Sequence, residues 1–158
     1  RSEGILGNSR KFPLGIELAN AHDPQSLPGL SKMPRFVVLY HEMPEGSDRN
    51  SHWDLMLEKA DALATWALAN VPESDKSVPC QLLEEHRKDY LEYEGPVSGN
   101  RGHVRRWDHG TFVWLSQPAA GDVCVRLKGE VLKGTATLAK RGEKWHYHFI
   151  ADVPGSDT

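Results

Sequence analysis

Residues 52–58, "HWDLMLE", alternate strictly: Trp53, Leu55 and Leu57 fall on one parity, and His52, Asp54, Met56 and Glu58 on the other. Period-two alternation predicts a β-strand whose apolar side chains enter a core while the other face stays open. Upstream, "RFVVLYH" (35–41) is a β-branched and aromatic run that reads as a buried strand ending at His41. "EMPEGSDRNS" (42–51) is the loop between these two strands. In "DALATWALAN" (61–70), Thr65 and Trp66 favour a strand paired with 52–58, while the Ala and Leu residues leave a helix open. A loop at 71–79 leads into "CQLLEEHRKDYLEYEG" (80–95). That segment begins strand-like and continues as a short helical turn ended by Gly95 and Pro96.

Further along, "VSGNRGHV" (97–104) is a Gly-rich turn, and "RRWDHGTFVWL" (105–115) predicts two strands around a tight Asp-His-Gly turn. "DVCVRLKGE" (122–130), "VLKGTATLAK" (131–140) and "KWHYHFIA" (144–151) continue as short strands. Evenly spaced short strands predict a mainly β protein: a small β-barrel of about eight strands with one or two short helical turns. Residues 1–32 are rich in Gly, Pro, Ser and Asn and show no sustained period. They read as a poorly ordered or wrapping N-terminal arm before a barrel domain at 33–153 and a frayed tail at 154–158.

Composition narrows the class. A chain of 158 residues with 39% hydrophobic and 26% charged residues suits one soluble domain. No apolar run approaches a membrane span, and the N-terminus lacks the apolar core of a signal peptide, so a cytoplasmic protein without membrane contact is expected. Cys80 and Cys124 lie far apart without a CxxC spacing, as reduced, buried thiols would. A net charge of −3 argues against a general nucleic-acid coat but not against a local basic patch that grips one strand end. "RGHVRRWDHG" (101–110) is the most basic stretch. Its Arg101, Arg105 and Arg106 could track a phosphate backbone with Trp107 stacking on a base; equally, it could be a solvated turn with Trp107 in the core.

Eight histidines matter more than the total charge. On a strand, residues i and i+2 project from one face roughly 6.5–7 Å apart, so His52 and Asp54 converge locally. With His41 from the preceding strand they form a possible two-histidine, one-carboxylate site for a divalent metal, with coordination positions left open. His146 and His148 share a strand face without a carboxylate nearby in sequence and read as ordinary exposed residues, and Trp66, Trp114 and Trp145 as core.

Taken in order, "FVVLYH", "HWDLMLE", "TWAL", "EEHRKDYLEYEG" and "WDHGTF" resemble the blocks of the 3′-phosphoesterase domain of bacterial DNA ligase D, over residues 35 to 150. The resemblance implies a small β-barrel and a metal-dependent activity. Manganese is the expected ion, with zinc as the alternative. The reaction implied is removal of a 3′-terminal phosphate or ribonucleoside from a primer strand in end repair. Carried over by position, His41, His52 and Asp54 would bind the metal, His86 would act on the phosphate and Tyr90 would accompany it. Glu84 heads the same block and Glu58 closes the His-x-Asp strand. A protonated His86 could stabilise the transition state or protonate the leaving oxygen, and Tyr90 would share its face if the segment were helical.

Three cations of the family pattern are replaced, by Met56, Asn70 and, nearby, Val78. Such cations bind phosphate, arginine doing so bidentately, and methionine cannot substitute. Arg49 in the extended 42–51 loop, or Lys76, would have to supply the charge from elsewhere. Expected partners are DNA or RNA–DNA 3′ ends and a separate ligase or polymerase, with any coupling between molecules. Two other readings stay open. One is a non-catalytic, metal-containing barrel that binds nucleic-acid ends or a repair partner. The other is a non-haem iron oxygenase using His52, Asp54 and His103, although no Arg-x-Ser for a co-substrate acid follows.

Overall fold

A computed structural model of the chain describes residues 33–73, 75–116 and 121–153. The expected arm at 1–32 and tail at 154–158 lie outside the described residues. Nine strands follow in order: β1 (Arg35–Glu42), β2 (His52–Glu58), β3 (Leu63–Leu68), β4 (Val78–His86), β5 (Gly95–Pro96), β6 (His103–Trp114), β7 (Val123–Gly129), β8 (Lys133–Arg141) and β9 (Lys144–Ala151). The segment at 61–70 is therefore a strand, its Thr65 and Trp66 outweighing its Ala and Leu. One 3-10 turn, Lys88–Leu91, follows β4.

Strands β1 to β4 form one antiparallel meander and β6 to β9 another. Pairing of β4 with β9 and of β1 with β6 joins the two into a closed eight-stranded barrel, with the two-residue β5 added to β6. Closure leaves no long unpaired edge on the barrel strands. The barrel interior is filled by Phe36, Val38, Leu55, Leu57, Leu68, Phe112, Val125, Leu127, Leu138 and Tyr147, with Trp66 beside them. Among the described residues no helix is long and apolar enough to cross a membrane.

The predicted turn at Asp108-His109-Gly110 does not form. Residues 103–114 run as one continuous strand that changes partners along its length. It pairs with β1 from His103 to Thr111 and with β7 from Gly110 to Trp114. Trp107 is the extra residue of a β-bulge, since Val38 faces Asp108 and Leu39 faces Arg106. Its ring packs against the barrel interior, so it is not the stacking platform considered above. Gly110 serves close approach rather than a turn, because a Cβ there would strike the Lys128 carbonyl.

Asp108, 1% exposed, is fixed by the loop between β7 and β8. Its Oδ1 accepts from the backbone N–H groups of Glu130 (2.8 Å) and Val131 (3.1 Å), and its Oδ2 from that of Leu132 (2.8 Å). The apparent turn signal is thus a buried carboxylate that holds a different turn in place.

Both faces of β2 are covered, contrary to the open face expected from its alternation. Leu55 and Leu57 enter the barrel, while Met56 belongs to a second apolar cluster with Val37, Leu39, Leu63, Leu91 and Val104. Tyr90, Tyr93 and Val97 pack on that cluster from outside. The segment after β4 therefore forms a small outer layer over β1 and β2.

Replacing Asp108 by alanine leaves three backbone donors without their acceptor. At about 1–3 kcal/mol for each unsatisfied buried group, a loss of at least roughly 3 kcal/mol in urea unfolding is expected. Asp108→Asn, which keeps one acceptor oxygen, should lose less. A loss under about 1 kcal/mol for the alanine variant would show that the carboxylate does not hold the turn.

Candidate metal centre

The β1–β2 register places His41 opposite His52 and Leu39 opposite Asp54. His41 has the parity of Val37 and Leu39, and His52 and Asp54 have the parity of Met56. All three therefore sit on the outer face of the barrel wall, beside the second apolar cluster rather than in the barrel interior. Strand parity put His52 and Asp54 on the face away from the core, and the structure groups them there with His41.

His52 and Asp54 are 6% and 3% exposed, and His41 is half-buried. The Nε2–H of His41 donates to the Arg101 carbonyl at 2.7 Å, and the Nδ1–H of His52 donates to the Asn50 carbonyl at 2.9 Å. A carbonyl can only accept, so each hydrogen bond fixes which ring nitrogen carries hydrogen when the imidazole is neutral. The other nitrogens face Asp54: His41 Nδ1 lies 3.3 Å from Oδ2, and His52 Nε2 lies 3.2 Å from Oδ1. His52 Nε2 and Asp54 Oδ1 are both buried and lack a hydrogen-bond partner.

When neutral, the two imidazoles thus turn lone pairs toward a carboxylate whose own lone pairs point back. Such an arrangement needs a cation, either a proton or a metal. The titration behaviour agrees. The Asp54 carboxylate beside His41 raises the His41 pKa above 6.5; burial works against this and the Arg101 carbonyl assists it. Burial pushes the Asp54 carboxyl up, but the close approach of His41 and His52, each able to carry a positive charge, outweighs that and holds it below the usual carboxylate range. The three ligand atoms lie within 4.8 Å of one another. Backbone carbonyls on the far ring nitrogens are the outer-shell arrangement typical of metal-binding histidines. The residues fit a divalent cation.

A cavity of about 330 Å³ adjoins His52, lined by Arg49, Ser51, Ala67, Cys80 and Gln81 among others. Arg49 also opposes the rise of the His41 pKa through its charge, which places it within electrostatic reach of the cluster. Burial in the same region pushes the Cys80 thiol up to about 12, so it stays a neutral thiol.

His86 ends β4 and Tyr90 lies in the 3-10 turn; their rings meet edge to face at 5.5 Å. The pairing expected from a helix is thus made by a strand end and a tight turn. His86 is opposite Leu63, which is opposite Glu58, so it shares the outer face with Met56 and Asp54. Its Nδ1–H donates to the Glu84 carbonyl at 2.9 Å, leaving Nε2 available. The Glu84 side chain itself is exposed. Glu58 anchors the start of β1 and the 3-10 turn. Its carboxylate accepts from the Arg35 backbone N–H at 2.8 Å and pairs with Lys88 at 3.3 Å.

The replaced cations are in unlike places. Met56 is buried in the outer cluster, Val78 is buried in the barrel interior and Asn70 is exposed beyond β3. Lys76 is exposed on the loop before β4. The Arg105 guanidinium lies over the Tyr40 ring, 5.2 Å from its centre, and the Arg106 backbone N–H donates to Glu94 at 2.7 Å. His103 pairs with Glu42 at 3.2 Å and takes no part in the cluster, which removes the iron-triad spacing of His52, Asp54 and His103. Sequence reasoning missed the carbonyls of Asn50 and Arg101. Asn50 is two residues from His52 and open to inspection, but Arg101 is sixty residues from His41 and only the fold delivers it.

Barrel and cluster together define a small antiparallel β-barrel with a candidate divalent-metal centre on its wall. Residues 45–140, more than half of the chain, match the DNA ligase D 3′-phosphoesterase domain, and the chain belongs to that family. It is similar to the multifunctional non-homologous end joining DNA repair protein LigD of Mycobacterium tuberculosis, 29% identical over 122 residues. The match covers 72% of this chain but 15% of that protein. It is also similar to the multifunctional non-homologous end joining protein LigD of Pseudomonas aeruginosa, 31% identical over 104 residues, or 60% of this chain and 11% of the relative. The chain thus corresponds to a small part of the relatives it matches.

The cluster makes a pH prediction with two signs. Without metal, the raised His41 pKa adds stability that is fully present below 6.5 and lost as pH rises through the folded-state value. The lowered Asp54 pKa adds stability present above 3.8 and lost as pH falls through its folded-state value. The metal-free contribution of the pair is therefore greatest between 3.8 and 6.5. A divalent cation competes with the His41 proton, so the Tm gain from Mn²⁺ or Zn²⁺ should grow as pH rises above 6.5. A gain that shrinks over that interval would contradict the assignment. Asp54→Ala should weaken binding of the metal by at least roughly 100-fold, the upper end of what losing an outer-shell partner costs.

Proposed function

We propose that this protein is a divalent-metal-dependent phosphoesterase that processes 3′ ends of nucleic-acid strands in DNA repair, removing a 3′-phosphate or 3′-ribonucleoside. The observation that carries the reading is the pair of unsatisfied, mutually facing atoms, His52 Nε2 and Asp54 Oδ1, on the same outer face as His86 and Tyr90. Family membership supports the reaction class, and the relatives' names support the repair setting.

His41, His52 and Asp54 would hold the cation, with manganese the ion favoured by the resemblance and zinc the alternative. When bound, it supplies Lewis-acid polarisation of a phosphoryl group. The remaining work falls to side chains. His86 Nε2, free because Nδ1 is committed to Glu84, can hold a proton for a phosphoryl oxygen or for the leaving group. Tyr90 packs its ring against His86 and limits where that imidazole can turn. Arg49, beside the cavity at His52, offers a positive charge to the incoming strand. A ligase or polymerase activity would act on the trimmed end.

A second reading is a non-catalytic barrel that keeps the metal and binds strand ends. Burial of Met56 favours it, because β2 then offers no cation where the family pattern has one. The discriminating assay is phosphate release from a 3′-phosphorylated primer–template with Mn²⁺, run on deoxyribonucleotide and ribonucleotide termini. Turnover abolished by His41→Ala and Asp54→Ala, and reduced roughly 10²–10⁴-fold by His86→Ala, is expected for the enzyme. Tight binding of the same substrate without turnover would establish the second reading. Unchanged turnover in Arg49→Gln would remove that residue from the site.

A further inference from the structure

Beside the cluster, the outer face has an apolar floor next to which β6 carries Arg106. Asp54 is opposite Leu39, and Leu39 is opposite Arg106, so the three share a row across β2, β1 and β6. At about 4.8 Å between strands, the Cα atoms of Asp54 and Arg106 are roughly 10 Å apart. Val104, two residues before Arg106, packs in the outer cluster and shows which way this part of β6 faces. The next row, through Met56, Val37 and His109, carries no lysine or arginine.

Arg106 is half-buried, and its Nε is buried with no hydrogen-bond partner. Glu94 accepts from its backbone N–H, which pins the strand but leaves the guanidinium without an ion pair among the described residues. The other arginines of the basic stretch are engaged. Arg101 donates from Nε and a terminal nitrogen to Ser98, and Arg105 covers Tyr40. A buried Nε–H without an acceptor is costly to keep, and an anion that arrives with the substrate would satisfy it together with a terminal nitrogen of the same guanidinium.

We propose that Arg106 is the phosphate-binding cation of this face. Its fork receives the phosphate monoester whose remaining oxygens face the His41–His52–Asp54 cluster. The proposal rests on the metal reading above and adds the residue that recognises the anion. Charge supports it: two neutral imidazoles, one carboxylate and a divalent cation leave a single positive charge against a doubly charged monoester. One further cation balances the site, and arginine meets phosphate through two parallel N–H donors. The gap of roughly 10 Å across Leu39 suits a long side chain on one side and a phosphate on the other.

The test is titration of inorganic phosphate into the Mn²⁺-loaded full chain, comparing wild type with Arg106→Gln, Arg106→Lys and the exposed control Arg141→Gln. Arg106→Gln should weaken phosphate binding at least roughly tenfold, the least expected for a lost charge-assisted contact. Arg106→Lys, which keeps charge but not the fork, should fall between wild type and Arg106→Gln, and it guards against a folding defect in the glutamine variant. Arg141→Gln should match wild type. Phosphate affinity unchanged in both Arg106 variants, with wild-type binding intact, would overturn this proposal and leave the phosphoesterase reading standing. Failure of metal-loaded wild type to bind phosphate at all would overturn both.

Discussion

Asp54 is a carboxylate 3% exposed to water, and everything around it answers the need to neutralise that charge. Its two immediate neighbours are imidazoles, and both have spent one ring hydrogen on a backbone carbonyl. Only their lone pairs remain for the carboxylate. A buried charge faced by lone pairs is unfavourable, so the cluster is a site of stored electrostatic tension that a proton relieves partly and a divalent cation relieves fully. The raised His41 pKa is the proton's share of that relief.

Burial of the carboxylate follows from how the barrel wall is covered. A barrel strand normally shows one face to the interior and one to solvent, and β2 would do so if the chain passed directly from β4 to β6. Instead the stretch holding the 3-10 turn and β5 lies over the outer side of β1 and β2. Leu91 seats in the outer cluster, and Arg35 pairs with Glu92 at 3.0 Å. That layer covers the wall next to the His41–His52–Asp54 cluster. It also brings Tyr90 over the same apolar patch as Met56, so the strand that holds the ligands and the turn that holds Tyr90 share one small core.

Much of this was legible in the sequence because strand periodicity is local. The parity of "HWDLMLE" put His52 and Asp54 on one face without knowledge of any partner strand, and the terminal His41 of the preceding run completed the set. The closed barrel followed from the number and spacing of the strands. What could not be read was whatever depends on long-range registration. The outer layer over β2 required knowing that Leu91 returns to Met56. Asp108-His109-Gly110 looked like a turn because those residue types make turns, yet Asp108 instead accepts from the loop at 130–132 and Gly110 admits the Lys128 carbonyl. Local chemistry was read correctly and assigned to the wrong neighbours. Trp107, which the sequence left open between base stacking and the core, is turned to the interior by the bulge.

The two halves of the site differ in how firmly they are held, and the difference has a mechanical sense. His52, Asp54 and His41 stand on strands that are hydrogen-bonded on both sides, β1 between β2 and β6, β2 between β1 and β3. Such positions cannot relax apart to lower their mutual repulsion, so the geometry of the cluster is already set and a cation binding there would need little reorganisation. His86 and Tyr90 occupy a strand end and a one-turn helix, where fewer backbone bonds restrain them. The His41–His52–Asp54 cluster is thus rigidly held beside a less restrained imidazole–phenol pair. The apolar floor of Leu39 and Met56 beneath both halves excludes water and strengthens every charge interaction made above it. An apolar side chain at position 56 is therefore physically compatible with the proposed phosphoesterase site, provided a compensating positive charge enters from another strand.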